Sequence, residues 1–130
     1  MSNNPLKKEL LKAFGAVKRT LKEYKYYIKD CENEKAKLLK MEEEKKDESD
    51  ICRQKYSVEE TEGAKKQTYQ TLLKFIGPLK EVIEKIDTES NDEDFVKQQT
   101  EVKDLKEYIE AKDHINETDE IIAKEGAANA

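Results

Sequence analysis

Few side chains of this 130-residue chain have the types and spacing that catalysis or metal binding requires. His114 is its only histidine, with no cysteine or acidic partner at metal-ligand spacing, so we expect it at the surface. The many Asp and Glu could supply a general acid and base, but near lysines they are more typical of solvated helix faces. No phosphate-binding glycine loop, nucleophile elbow or dinucleotide fingerprint occurs. The sequence therefore predicts a protein that is not an enzyme and has no cofactor or metal.

The two cysteines, Cys31 and Cys52, are not expected to form a disulfide. If the chain turns near 47–49, they lie ~20 Å apart along a helical hairpin, at about 1.5 Å per residue. We interpret Cys31 as a small buried hydrophobic residue. The N-terminus shows no apolar signal region, and no stretch approaches membrane-spanning length. These features predict a cytoplasmic location without a membrane partner.

One run of apolar residues decides the architecture, because it follows the four-and-three spacing of a packed helix. Its members are Leu10, Phe14, Val17, Leu21, Tyr24, Ile28 and Cys31, continuing to Leu38. We call these positions the seam of the first helix. A single helix has nothing to bury such a seam against, so partner helices are required.

The composition supports long helices with one apolar stripe each, since 42% of residues are charged and 35% are hydrophobic. The formal net charge is -5, unevenly spread. Residues 1–46 carry 13 basic against 8 acidic side chains, and residues 47–130 carry 12 against 22. This polarity could steer an acidic partner, or it could reflect faces complemented by acidic neighbours in the same bundle. An acidic chain without a recognisable motif excludes nucleic acid as the expected partner.

The predicted elements are three helices at about 5–46, 50–86 and 91–124. Asn4 is the expected N-cap of the first, and Ser90 with Glu93 has capping-box spacing before the third. Pro78 is expected to kink the second helix, although a stop and restart remains open. Two short turns make the fold an all-α, antiparallel up-down-up three-helix bundle resembling a spectrin repeat. We predict a single domain over residues 1–125 and a frayed tail at 126–130.

The seams of the second and third helices divide the bundle into a strong end and a weak end. The second seam is predicted at Ile51, Val58, Thr61, Lys65, Thr68, Leu72, Phe75, Leu79, Val82 and Ile86. The third is predicted at Phe95, Val102, Leu105 and Ile109, with Ile115 and Ile122 as further candidates. We therefore expect the end near Asp47 to be looser and more polar, with faster hydrogen exchange than the Leu10–Leu21 end.

A basic, tyrosine-rich segment of the first helix is the most distinctive surface feature. Lys18, Lys22, Lys25 and Lys29 fall on one stripe beside the seam, and Tyr26 and Tyr27 point away from its centre. Exposed aromatic residues among positive charges are typical of a protein-binding surface. The alternative is that the tyrosines flank the core and the lysines are simply solvated. A membrane-surface role is weaker, because the bundle already uses the apolar face.

At this segment the chain resembles the tubulin-specific chaperone A family, also called tubulin-binding cofactor A. The resemblance rests on Gly15-Ala16-Val17-Lys18-Arg19-Thr20-Leu21-Lys22-Glu23, followed by Tyr24 to Tyr27. It resumes at Ser49-Asp50-Ile51-Cys52-Arg53-Gln54. In content it covers about residues 6–90.

The resemblance implies a small three-helix protein that holds β-tubulin during α/β-tubulin folding, with no catalytic centre and no nucleotide. It implies that the partner is met through charged helix faces. The residues that match the family pattern are Lys18, Arg19, Lys22, Glu23, Arg53 and Gln54. Lys25 and Tyr26, which belong to the same basic segment, complete the set of candidate partner-binding residues.

Three readings of the function remain open at this point. The first is a cytoplasmic tubulin-folding chaperone, present as a monomer or weak homodimer. The second is a structural coiled-coil or spectrin-like interaction module without a chaperone role, which fold alone does not distinguish from the first. The third, a prefoldin-type subunit, requires strand hairpins between the helices, and neither turn region shows the alternation of a strand.

Overall fold

The computed structural model describes residues 4–128, and within that range it contains four α-helices and no strand. The helices are α1 (Pro5–Glu43), α2 (Glu48–Asp87), α3 (Glu93–Lys103) and α4 (Lys106–Ala128). The all-helical prediction is therefore confirmed. The three-helix bundle is not confirmed, because the predicted third helix is divided into α3 and α4. The prediction of one domain over residues 1–125 stays a prediction.

Both ends of α1 are set by local hydrogen bonds. The Asn4 side-chain oxygen accepts from the Lys7 backbone N–H at 3.0 Å, so the predicted N-cap is confirmed. The helix ends at Glu43 rather than at 46, because Lys45 adopts a left-handed conformation with φ 54°. The Lys46 N–H then donates back to the Met41 carbonyl at 3.0 Å, which closes the helix end.

Helix α2 begins at Glu48 and continues to Asp87 through Pro78, so a stop and restart does not occur. Pro78 lacks the N–H that would bond the Lys74 carbonyl, and its ring lies at an exposed position. Solvent can therefore satisfy the freed carbonyl, which allows the helix to continue. The kink expected at this residue stays a prediction.

The N-terminus of α3 is capped by Asp92 and not by the predicted Ser90–Glu93 pair, which was wrong. The Asp92 carboxylate accepts from the backbone N–H groups of Asp94 and Phe95 at 3.0 and 3.2 Å. The Ser90 hydroxyl oxygen instead accepts from the Asp92 N–H at 3.2 Å. Asp92 is the cap because a carboxylate is a strong hydrogen-bond acceptor and the N-terminus of a helix carries a partial positive charge.

The break between α3 and α4 shifts the helical register. Val102 is buried, and the next large buried residue is Tyr108, six residues later rather than the seven of a heptad. Asp104 and Leu105 are not helical, so Tyr108 points in a direction that a continuous helix would have given to a residue further along the chain. Ile109, predicted in the core, is consequently 61% exposed, whereas Tyr108 and Ala111 are buried.

Helix α4 extends further than expected. The predicted frayed tail at 126–130 is helical at 126–128, and residues 129 and 130 lie outside the described residues.

The chain forms two compact units, each of which is described here by itself. Unit 1 comprises the residues up to Arg19 and those from Leu72 onward, and unit 2 comprises Thr20–Thr71. Both α1 and α2 therefore contribute residues to both units, while α3 and α4 belong to unit 1.

Unit 1 has an apolar core made by the start of α1, the end of α2, and α3 with α4. Its fully buried apolar side chains are Leu10, Val17, Leu72, Leu79, Val82, Ile86, Val102 and Ala111. Ion pairs join the helices at the surface, with Lys85 bonded to Glu9 at 2.8 Å and Lys80 to Asp119 at 2.7 Å. Asn4 also donates to the Gln98 carbonyl and the Glu101 carboxylate, which ties the start of α1 to α3.

Unit 2 is an antiparallel hairpin of α1 and α2 with a more polar seam. Its buried apolar residues are Leu21, Tyr24, Cys31 and Val58, and its buried polar residues are Thr20, Gln54 and Thr68. The Tyr24 and Tyr69 rings lie 6.1 Å apart. This composition agrees with the sequence expectation of a polar seam toward Asp47, and Cys31 is buried and unpaired as predicted.

Candidate partner-binding surface

In unit 2, helix α1 exposes four of the predicted partner-binding residues together. Lys22, Glu23, Lys25 and Tyr26 are all exposed, and the Tyr26 side chain is 63% exposed. Tyr26 meets the Tyr27 ring edge-on, with centroids 5.3 Å apart and an interplanar angle of 72°. The structure therefore brings an aromatic pair and charged groups of both signs onto the side of α1 that the seam leaves free.

In unit 1, Lys18 and Arg19 are also exposed, but each lies against its own helix. The Lys18 ammonium is 5.7 Å from the centroid of the Phe14 ring, within cation–π range. The Arg19 guanidinium lies over Gly15, where a Cβ would stand 3.4 Å from it. Gly15 thus leaves room for the arginine to fold back along the helix surface.

The two candidate residues on α2 differ in exposure. Arg53 is exposed and pairs only at 3.9 Å with Asp50, so its guanidinium is accessible. Gln54 is 6% exposed, and its amide donates to the Glu34 carbonyl at 2.9 Å and the Glu34 carboxylate at 2.6 Å. Gln54 is therefore not an exposed contact residue, because unit 2 itself uses its donor group.

Arg53 lies at the edge of a shallow groove of about 480 Å³ beside the α1–α2 turn. The groove is lined by Lys37, Met41, Lys46, Asp50, Arg53, Gln54 and Ser57. Lys46 pairs with Glu44 at 3.6 Å, a long and exposed contact of the kind that contributes little stability. The groove is thus a polar surface depression lined by three cations, Lys37, Lys46 and Arg53.

The seam of unit 2 is bridged at its edge by an ion pair. Lys35 and Glu62 lie 3.0 Å apart, with both side chains about half exposed. The hydrogen bond to Glu62, followed by the neighbouring Cys31, raises the pKa of Lys35. Because solvent screens this pair, it positions the helices more than it stabilises them.

A polar cluster in unit 1, in which the buried Tyr108 meets the exposed Asp87 and Lys112, was missed by sequence reasoning. The Tyr108 hydroxyl donates to the Asp87 carboxylate, and Lys112 pairs with the same carboxylate at 3.2 Å. The Lys112 ammonium also lies 4.5 Å from the centroid of the Tyr108 ring. Burial, followed by the bond to Asp87, raises the pKa of Tyr108. The i,i+4 spacing of Tyr108 and Lys112 indicated that the two side chains lie side by side. The burial of Tyr108 could not be predicted, because it depends on the register shift between α3 and α4.

Two further residues differ from expectation. His114, predicted at the surface, is half-buried and lies against Phe14 with ring centroids 5.3 Å apart. Gln99 is 6% exposed and donates to the carbonyls of Lys85 and Thr88, so it caps the end of α2. Both serve the packing of unit 1 and not an exposed surface.

Two other kinds of site, a membrane span and a metal centre, are absent from the described residues. Over residues 4–128, no helix is long and apolar enough to cross a membrane. In the same part of the chain, no three His, Cys, Asp or Glu side chains are grouped as metal ligands.

Over the described residues the chain is a small all-α protein with charged, exposed helix faces. A family model described as tubulin binding cofactor A matches residues 5–100, which span α1, α2 and most of α3. The chain therefore belongs to the tubulin binding cofactor A family, a chaperone cofactor family whose partner is tubulin. No curated protein and no solved structure matched the chain.

Proposed function

We propose that this protein is a folding cofactor that binds β-tubulin folding intermediates and stabilises them before the α/β-tubulin heterodimer assembles. The observation that carries the proposal is the family match over residues 5–100, which includes both long helices. The partner is then β-tubulin, and the expected site of action is the cytoplasm. We expect the free protein to be a monomer or a weak homodimer.

The proposed contact surface consists of helix faces. In unit 2 it includes Lys22, Glu23, Lys25 and Tyr26 of α1 together with Arg53 of α2, all of which are exposed. Tyrosine and arginine are the side chains that most often dominate binding energy at protein interfaces. In unit 1 the exposed pair Lys18 and Arg19 forms a second, separately testable candidate.

A surface of this kind implies a particular mode of binding. Exposed charges direct encounter and orientation, and their effect weakens as salt screens them. A cofactor that holds a folding intermediate must also release it, so a polar and salt-sensitive contact suits the role better than a large apolar interface. We therefore expect binding to weaken as ionic strength rises.

The test is a binding assay between the full chain and β-tubulin folding intermediates. The double variant Lys22→Glu/Lys25→Glu should weaken binding by about tenfold, equivalent to about 1.4 kcal/mol. The matched control is Lys55→Glu/Lys66→Glu, which changes the net charge by the same amount at two exposed α2 positions of unit 2. The variants should retain the wild-type helical circular dichroism signal.

Specific outcomes would contradict the proposal or its surface. Absence of β-tubulin binding by the wild-type chain would refute the function and favour a structural interaction module. Binding that is unaffected by the double variant would refute the unit 2 surface, and Lys18→Glu/Arg19→Glu would then test the unit 1 pair. Sedimentation of the free protein checks the oligomeric state.

A further inference from the structure

The connection between α2 and α3 carries a serine for which the fold has no capping role. Residues 88–92 are non-helical, and Ser90 lies at their centre. Its hydroxyl oxygen accepts one backbone N–H, from Asp92, while Asp92 itself caps α3. The Ser90-x-x-Glu93 spacing therefore serves no capping box, and it needs another explanation.

The same spacing occurs at three places in the sequence. Thr20, Ser57 and Ser90 are each followed, three residues later, by a glutamate. A hydroxyl with downstream carboxylates fits the active site of a protein kinase whose substrate groove is basic, because the charges are complementary. The sequence alone does not distinguish between the three hydroxyls.

The structure does distinguish between them. Thr20 is 5% exposed inside α1, and Ser57 lies in the interior of α2. To enter an active site, either residue would have to leave a long helix and break several backbone hydrogen bonds. Ser90 is half-buried but lies outside any helix, and its flanking residues Glu89 and Asn91 are exposed.

The first turn of α3, which follows Ser90 closely, has no buried side chain. Helix α3 has 11 residues and buries only Gln99 and Val102, both beyond its first turn. Short helices are marginally stable without packing, so the first turn of α3 can unwind at low cost. That turn holds Glu93 and Asp94, which are exposed and would reach the basic substrate groove of the kinase.

We propose that Ser90 is a phosphorylation site for a protein kinase that recognises acidic residues downstream of its target. The Ser90 oxygen attacks the γ-phosphorus of ATP, and its proton passes to the catalytic aspartate of the kinase. A new oxygen–phosphorus bond forms, the bond between the γ-phosphorus and the bridging oxygen breaks, and ADP leaves. The inference goes beyond tubulin binding and does not depend on it.

The phosphate changes the electrostatics of the α2–α3 connection. It adds a charge of about -1.5 to -2 just before the N-terminus of α3, where the helix dipole favours anions. The grooves around Ser90 are lined by the cations Lys85 and Lys103 and by the carboxylates of Glu81, Glu84, Asp87 and Glu89. Lys85 is bonded to Glu9 at 2.8 Å, so a phosphate that paired with Lys85 would compete with Glu9 for the lysine that joins α2 to α1.

The experiment uses the purified full chain, ATP with Mg²⁺, and a kinase of this acidic-directed class, with the modified residue located by mass spectrometry. We expect one phosphate, on Ser90. Ser90→Ala should lower the initial rate at least tenfold, and Glu93→Gln should lower it severalfold while leaving the serine in place. The matched controls Ser57→Ala and Glu60→Gln should leave the rate unchanged.

Three outcomes would overturn the proposal. They are no incorporation of phosphate into the wild-type chain, phosphate on Ser57 at a rate equal to that on Ser90, or an unchanged rate in Ser90→Ala. Because Ser90 lies in a connection and Glu93 is exposed, circular dichroism of both variants should match the wild type.

Discussion

Unit 1 and unit 2 share the same two long helices, yet they pack in different ways. In unit 1, α2 contributes Leu79, Val82 and Ile86 to the core, and all three are fully buried. In unit 2, the same helix contributes Gln54 and Thr68, with Val58 as its buried apolar residue. One continuous helix can therefore hold a fixed apolar core along one half and present a polar, accessible hairpin along the other.

The difference separates the apolar core, in unit 1, from the contact surface that we propose on unit 2. Apolar burial contributes about 25 cal/mol per Å² and dominates folding, so unit 1 carries most of the stability. Polar seams contribute less because their hydrogen bonds replace bonds to water. The charged and aromatic side chains that we propose as the contact surface of unit 2 are therefore exposed without weakening the core of unit 1.

Truncating one core residue in each unit tests most directly whether the two units differ in how much their packing contributes to stability. Leu79→Ala in unit 1 should lower the free energy of unfolding by about 2–5 kcal/mol, because Leu79 is fully buried. Val58→Ala in unit 2 removes two methyl groups at the edge of burial and should cost about 1–2 kcal/mol. Denaturant unfolding of both variants measures the contrast.

Equal losses in these two variants would show that unit 2 is packed as firmly as unit 1. Native-state hydrogen exchange gives an independent check. Amides near Asp47 should exchange faster than those of Leu10–Leu21, and the reverse order would remove the basis of the comparison.

Two buried glutamines test the same contrast through hydrogen bonds. Gln99→Ala should cost about 1–3 kcal/mol, since it leaves two backbone carbonyls at the end of α2 without their donor. Gln54→Ala should cost about 0.5–1.5 kcal/mol, because Glu34 is half-buried and water can replace the lost donor. Thermal unfolding compares them, and a larger loss for Gln54→Ala would contradict the greater accessibility of unit 2.

We expect the Tyr108 cluster to make unit 1 sensitive to alkaline pH. The pKa of Tyr108 is raised above its ordinary value of 10.0, chiefly by burial, and the pKa of Lys112 is raised by its bonds to Tyr108 and Asp87. A group whose pKa is raised on folding contributes stability below its unfolded pKa and loses it as pH rises through the folded pKa. Stability should therefore fall above about pH 10.

Tyr108→Phe should reduce that alkaline loss, as measured by Tm between neutral pH and pH 11. The matched control is Tyr56→Phe in unit 2, where the tyrosine is 63% exposed. It should leave the pH dependence unchanged. An identical alkaline slope in wild type and Tyr108→Phe would show that the cluster has no such effect.

The smallest expected effect lies at the α1–α2 turn of unit 2. Lys45 is a non-glycine residue at φ 54°, where its Cβ crowds the backbone. Lys45→Gly should raise the free energy of unfolding by about 0.5–1 kcal/mol. The neighbouring Lys46→Gly is the control and should destabilise the protein, so a gain in both variants would contradict strain at Lys45.

Much of the fold could be predicted because heptad spacing reports burial directly. The α1 seam was predicted correctly, with Ile28 and Leu38 half-buried and the other members buried. The break at Asp104–Leu105 could not be predicted, because it contains neither glycine nor proline and its cost is offset by burial of Tyr108. The error at Ile109 follows from that break alone.

The candidate surface was predicted less completely than the fold. Exposed lysines can be identified from a helical stripe, and Lys18, Lys22 and Lys25 are exposed. The burial of Gln54 could not be predicted in this way, because a polar side chain can be buried wherever a partner such as Glu34 lies across the seam. Such pairings depend on which residues of two helices face each other, which one sequence does not specify.

The bonds of Asn4 have a consequence for the order in which the chain folds during synthesis. Gln54 and Glu34 are 20 residues apart, so the hairpin of unit 2 can close as soon as its own segment has emerged. Asn4 meets Gln98 and Glu101, 94 and 97 residues away, and these bonds wait until α3 has been made. Asn4 thus reaches its final contacts later than Gln54, although Gln54 is synthesised after it, and until then the hairpin of unit 2 has to persist without the core of unit 1.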